Sequence, residues 1–190
     1  GGVDSLPNVH MAVTALATAA LRAHGGPEAS IARAEAFMKD ESNVAAVDRD
    51  EIVWAHAYRV LYFARTKDAA ALAAVVPRLL ALQEPDGIWA HEYANPFATA
   101  AALHALEAAR AAGAEVPGAV LAAGAKALFA SRDEHGVFAY RTPGRGGPVE
   151  SGAGRMPYLE FALLPSGAST PDAVRGALAT SFAHHERFEA

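Results

Sequence analysis

Apolar positions recur at helical spacing in eight segments, 8–24, 27–39, 51–66, 68–83, 96–112, 117–131, 155–165 and 171–187. Local punctuation supports the boundaries. Gly26-Pro27-Glu28 and Thr170-Pro171-Asp172 each place a cap-competent residue before Pro, with an acid in the first turn. Pro117 opens the sixth segment in the same way, while Gly25-Gly26, Asp86-Gly87 and Gly113 follow the ends of periodic runs. Pro77 falls inside the fourth segment and is expected to kink or split it.

The faces of these helices differ. Leu72, Val75, Val76, Leu79 and Leu80 form a one-sided stripe on the fourth segment. Val120, Leu121, Gly124 and Leu128 do so on the sixth, and Val174, Leu178, Ser181 and Phe182 on the eighth. The third, fifth and seventh segments are apolar nearly all round, through Ile52-Val53-Trp54, Phe97 to Leu106 and Tyr158 to Leu164. A helix apolar on every side is surrounded by protein. The alternation predicts an all-α double layer, with inner helices wrapped by outer ones.

Composition changes the picture in one respect. Apolar residues make up 52% of the 190, but 48 of the residues are Ala, against 14 Val and 3 Ile. The chain is rich in the best helix former and poor in strand-forming residues, so all-β and most α/β folds are excluded. Small side chains also let helical layers approach closely. No run reaches the roughly 18 to 20 apolar residues that cross a bilayer. A net charge of −5 leaves no basic stripe for nucleic acid. Cysteine is absent, which removes disulfides, thiolate metal ligands and a cysteine nucleophile.

The chain also repeats itself. Leu82-Gln83-Glu84-Pro85-Asp86-Gly87-Ile88-Trp89-Ala90 has a counterpart in Ser131-Arg132-Asp133-Glu134-His135-Gly136-Val137-Phe138-Ala139. Each carries acids, then Gly, then an aromatic residue two positions later. A weaker copy without the Gly follows Phe37-Met38-Lys39-Asp40. A period of about 45 to 50 residues holding two helices marks a helical repeat array, longer than the tetratricopeptide and ankyrin periods.

Gln83-x-x-Asp86-Gly87-x-Trp89 resembles the QW motif of the prenyltransferase and squalene–hopene cyclase repeat family. Trp54-Ala-His-Ala-Tyr58, Asn95-Pro-Phe97-Ala-Thr99 and Gly154-Arg155-Met-Pro157-Tyr-Leu-Glu160, each near the start of an inner helix, extend the likeness to an uncharacterised bacterial branch over nearly the whole chain. The resemblance implies an (α/α) toroid, commonly of six hairpins, and structural roles for Gln83, Asp86, Gly87 and Trp89. Eight helices make four hairpins. With a chain that opens on Gly1-Gly2, this leads to the expectation of one toroid-type domain over 1–190, open or part of a longer ring. Such a domain would oligomerise or pack against a missing segment.

Candidate chemistry is thinner. The resemblance extends to Asp48-Arg49-Asp50-Glu51, near the Asp-x-Asp-Asp motif whose middle Asp protonates the substrate of class II terpene cyclases, which makes Asp50 a candidate acid. Such an acid must be held protonated by burial and neighbouring carboxylates. The alternative is that Asp48 or Asp50 caps the third helix. Glu92 and Glu160 are the candidate pair for acid–base work on a glycan, as the resemblance to toroid enzymes allows. Trp54, His56, Tyr58, His91, Tyr93 and Arg155 are candidates for lining a central cavity. The zinc site of protein prenyltransferases requires a Cys that this chain lacks, and the histidines offer no metal spacing, so neither metal nor cofactor is expected. The stretch 141–154, with Arg145-Gly146-Gly147-Pro148, reads as a mobile loop without a phosphate-binding pattern. The leading expectation is a domain that binds a small molecule or a protein without catalysis.

Overall fold

The structure, a computed structural model, describes residues 6–144 and 146–188. They are all-helical apart from turns and a two-residue antiparallel pairing of Ala90–His91 with Tyr93–Ala94. The helices are α1 (Pro7–Ala23), α2 (Glu28–Lys39), α3 (Ile52–Thr66), α4 (Ala69–Leu80), α5 (Pro96–Ala111), α6 (Gly118–Ala130), α7 (Val149–Gly152), α8 (Met156–Leu163) and α9 (Pro171–Ala183). All eight expected segments are present, and α7 is additional. It lies in the stretch read as a mobile loop, of which Arg145 is outside the described residues.

The chain packs as two compact units. The first runs through Leu82 and includes Ala105–Val116; the second holds Gln83–His104 and the chain from Pro117 onward. In the first unit α1 packs on α2 and α3, and α3 packs on α4, so two helical hairpins meet through their first helices. Asn8 secures the entry to α3. Its amide donates to the Ala45 and Asp48 carbonyls at 2.9 and 3.1 Å and accepts from the Ala45 N–H at 3.1 Å. In the second unit α8 packs on α6 and α9.

Burial follows the sequence pattern on most helices. On α3 the residues Val53, Ala55, Ala57, Val60 and Phe63 are buried, as are Ala98, Ala100, Ala101, Ala102, Ala105 and Ala109 on α5. The stripes of α4 and α6 lie inward through Leu72, Val75, Val76 and Leu79, and through Leu121, Gly124 and Leu128. Pro77 does not split α4, which runs on through it. It sits one turn from the helix end, and both it and Ala73 are exposed, so water can serve the carbonyl left without its donor. The stripe expected on α9 is overturned. Ala177 alone is buried there, while Leu178 is 43% and Phe182 73% exposed.

Candidate functional site

The two repeat junctions of the second unit fold as the same turn. Gln83 bridges Trp89 and Arg132 bridges Phe138 across tight loops. Glu84 N–H donates to the Ile88 carbonyl at 2.8 Å, as Asp133 N–H does to Val137 at 3.0 Å. Gly87 and Gly136 both take positive φ, +92° and +79°. A carboxylate accepts from the residue after each Gly, but from different positions: Asp86 serves Ile88 N–H, and Asp133 serves Val137 N–H. Trp89 and Phe138 are fully buried beneath these turns. The Gln83 amide donates to the carbonyls of Gly87 (3.1 Å) and of Val120 (3.0 Å), so it ties the turn to the start of α6. The third, weaker copy forms a 3-10 turn, Glu41–Asn43, opened by Asp40 accepting from Ser42 N–H.

Of the candidate acids, Asp50 is exposed in the turn before α3. The carboxylate beside it, Asp48, accepts from Asn8. Glu160 is buried on α8, where both oxygens accept from Arg132 Nη1 (2.9 and 3.2 Å) and one also accepts from the Ser169 hydroxyl. Both of its oxygens are engaged in holding α8 against its neighbours. Arg132 occupies in its junction the place that Gln83 holds in the other, so one position anchors both turns to a later helix. Glu92 is exposed at the tip of the Ala90–Ala94 pairing, with φ +59°.

The cavity candidates separate. His56 is buried on α3 with Nδ1 at 3.4 Å from Arg59 Nη1, and burial, reinforced by the Arg59 charge, pushes its pKa down to about 4. It is therefore a neutral core histidine. Trp54 and Tyr58 are half-buried and stacked with ring centres 6.3 Å apart, and burial raises the Tyr58 phenol. His91 and Tyr93 lie half-buried on the short pairing, and Tyr93 shares a hydrogen bond with Tyr140 that raises its phenol. The Arg155 guanidinium lies over Tyr140, 5.2 Å from the ring centre. Thr142 N–H donates to Ala94 O at 2.9 Å. Three of the candidates, His91, Tyr93 and Arg155, thus share one neighbourhood with Glu92, and Tyr140 joins them.

A second grouping was not anticipated as a site. Phe97 and His104 on α5 meet Tyr158 and Phe161 on α8. Ring centres are 5.3 Å apart for Phe97–Tyr158, 5.9 Å for His104–Tyr158 and 5.1 Å for His104–Phe161. Tyr158 Oη lies 3.3 Å from His104 Nδ1, and burial lowers the His104 pKa, so the imidazole is neutral at pH 7. Phe97, His104 and Tyr158 are half-buried and Phe161 is 43% exposed. An edge-to-face aromatic cluster that keeps open surface can take apolar groups without desolvating a charge. The sequence signal was there: these aromatic and imidazole side chains fall at 97, 104, 158 and 161 on helices otherwise rich in Ala and Leu.

No protein-family model matches this chain, and no curated protein or solved structure matches it either. Among the described residues no helix is long and apolar enough to cross a membrane.

Proposed function

We propose that this chain is an α/α repeat domain of the prenyltransferase and squalene-cyclase type that binds rather than catalyses. It holds an apolar small molecule, or an apolar segment of a protein, against the aromatic rings of α5 and α8. The observation that carries the reading is the partly open cluster of Phe97, His104, Tyr158 and Phe161. The two duplicated junctions support the family likeness. The state of the carboxylates supports binding over catalysis, since Asp50 is exposed and Glu160 is spent on Arg132 and Ser169.

The test uses an uncharged fluorescent probe, N-phenyl-1-naphthylamine, titrated with the folded chain. Saturable enhancement is expected, and Phe161→Glu is expected to abolish it while leaving the circular dichroism unchanged, because Phe161 is already partly in water. Equal binding by the wild type and Phe161→Glu overturns the assignment.

A further inference from the structure

The first unit contains a cavity of about 230 Å³ whose walls include Lys39, Arg59, Phe63, Asp68, Ala71 and Val75. Arg59 is unusual among them, with no solvent-exposed surface at all. Its Nη2 donates to Glu41 Oε1 at 2.5 Å and its Nη1 meets His56, but its Nε has no hydrogen-bond partner. Buried donors are almost always paired, so an unpaired one on a buried cation calls for an explanation. We propose that this cavity binds a small organic monocarboxylate. The carboxylate is held by Arg59 Nε and the Lys39 ammonium, and the apolar part rests on Phe63, Ala71 and Val75.

Charge and size agree with this. The cluster holds three cations, Lys39, Arg59 and Arg78, against two carboxylates, Glu41 and Asp68, through the pairs Arg59–Glu41, Arg78–Glu41 and Lys39–Asp68. One positive charge is left over, which suits a single carboxylate better than a doubly charged phosphate. A planar carboxylate also matches the edge of a guanidinium. At roughly 30 Å³ per water, the cavity holds about seven water-sized groups, the size of a carboxyl on a short chain or a single ring. The outer ion pair is the exchangeable part of the lining. Lys39 and Asp68 lie 2.6 Å apart with side chains 48% and 27% exposed, so Lys39 can exchange Asp68 for the ligand while the buried Arg59 keeps its pair with Glu41.

The site lies wholly in the first unit and does not involve the aromatic cluster, so either assignment can fail alone. The experiment titrates the whole 15N-labelled chain with benzoate, with inorganic phosphate in a parallel arm. Saturable shifts are expected at the Ala71 and Val75 amides and at the Arg59 Nε–H with benzoate only. Lys39→Ala should weaken binding roughly tenfold, in line with a lost charge-assisted bond. Asp68→Asn should tighten it several-fold, because it frees Lys39 while Asn still caps α4. Both substitutions fall on partly exposed residues, so they avoid the folding defect expected on removing Arg59. Absence of saturable shifts, phosphate binding as well as benzoate, or unchanged affinity in both variants overturns the proposal.

Discussion

A carboxylate carried into a helical interior destabilises the fold unless its charge is answered, and Glu160 is answered twice, by Arg132 and by Ser169. Removing one partner of such a pair leaves an uncompensated buried charge. Arg132→Met is expected to cost about 3 kcal/mol, and Glu160→Gln less because the amide can still bond Ser169; urea denaturation of both variants compares them. His56 makes the complementary case on α3. In the fold its pKa is pushed down to about 4, against 6.5 for the free side chain. Between those values the unfolded chain binds the proton and the folded chain does not. Stability therefore falls as pH drops from 6.5 towards 4, by about 3 kcal/mol once complete. Replacement by Gln should flatten that dependence, which denaturation midpoints at pH 7 and pH 4.5 will measure. Neither role could be read from the residue type. Glu160 read as a candidate acid and His56 as a cavity residue, because burial and partners come from other parts of the chain.

The two junction turns show how far a local pattern reaches at the scale of an element. Acid, Gly and aromatic residue predicted one repeated turn, and the same bridge, backbone hydrogen bonds and positive φ recur in both copies. The glycines nevertheless have different surroundings. A Cβ at Gly87 would lie 2.5 Å from the Ala123 carbonyl oxygen, whereas one at Gly136 would meet only the Met156 Cε, at 3.8 Å. Gly136→Ala should thus cost about 1 kcal/mol, the backbone penalty alone. Gly87→Ala should cost at least 2 kcal/mol, since it adds a clash with backbone that has to shift. Thermal unfolding of the pair separates the two contributions. Gly124 shows another limit of local reading: it reads as a member of an apolar stripe, but its lack of a side chain makes room for Trp89 and Leu103, where a Cβ would fall 2.8 and 2.9 Å away.

Across the molecule, the pattern that succeeded on α3, α4, α5 and α6 failed on α9. Val174, Leu178, Ser181 and Phe182 have core spacing, yet Phe182 is largely in solvent and only Ala177 is buried. Leu178→Glu and Phe182→Glu are accordingly expected to change the stability of the free chain by less than about 0.5 kcal/mol, whereas either would be strongly destabilising in a core; chemical denaturation decides. Periodicity says which face of a helix avoids water, but not whether anything in the same chain covers it.

By itself the sequence determined that the chain is all-helical, where its helices run, and that two turns of the second unit are copies. Those features rest on backbone propensity, caps and glycine conformation, all set within a few residues. It also determined that Ala would fill α5, where one residue after another is buried. Tertiary structure decided which polar groups are spent and which remain available. It paired Glu160 with Arg132, neutralised His56, left Asp50 in water, gathered Phe97, His104, Tyr158 and Phe161, and buried Arg59 with Nε unpartnered. Arg59, on the 52, 56, 59, 63 face of a largely apolar helix, was visible in the sequence. Its partner Glu41 was not, because the charge that answers a buried group is supplied by a segment remote in sequence, and only packing brings the two together.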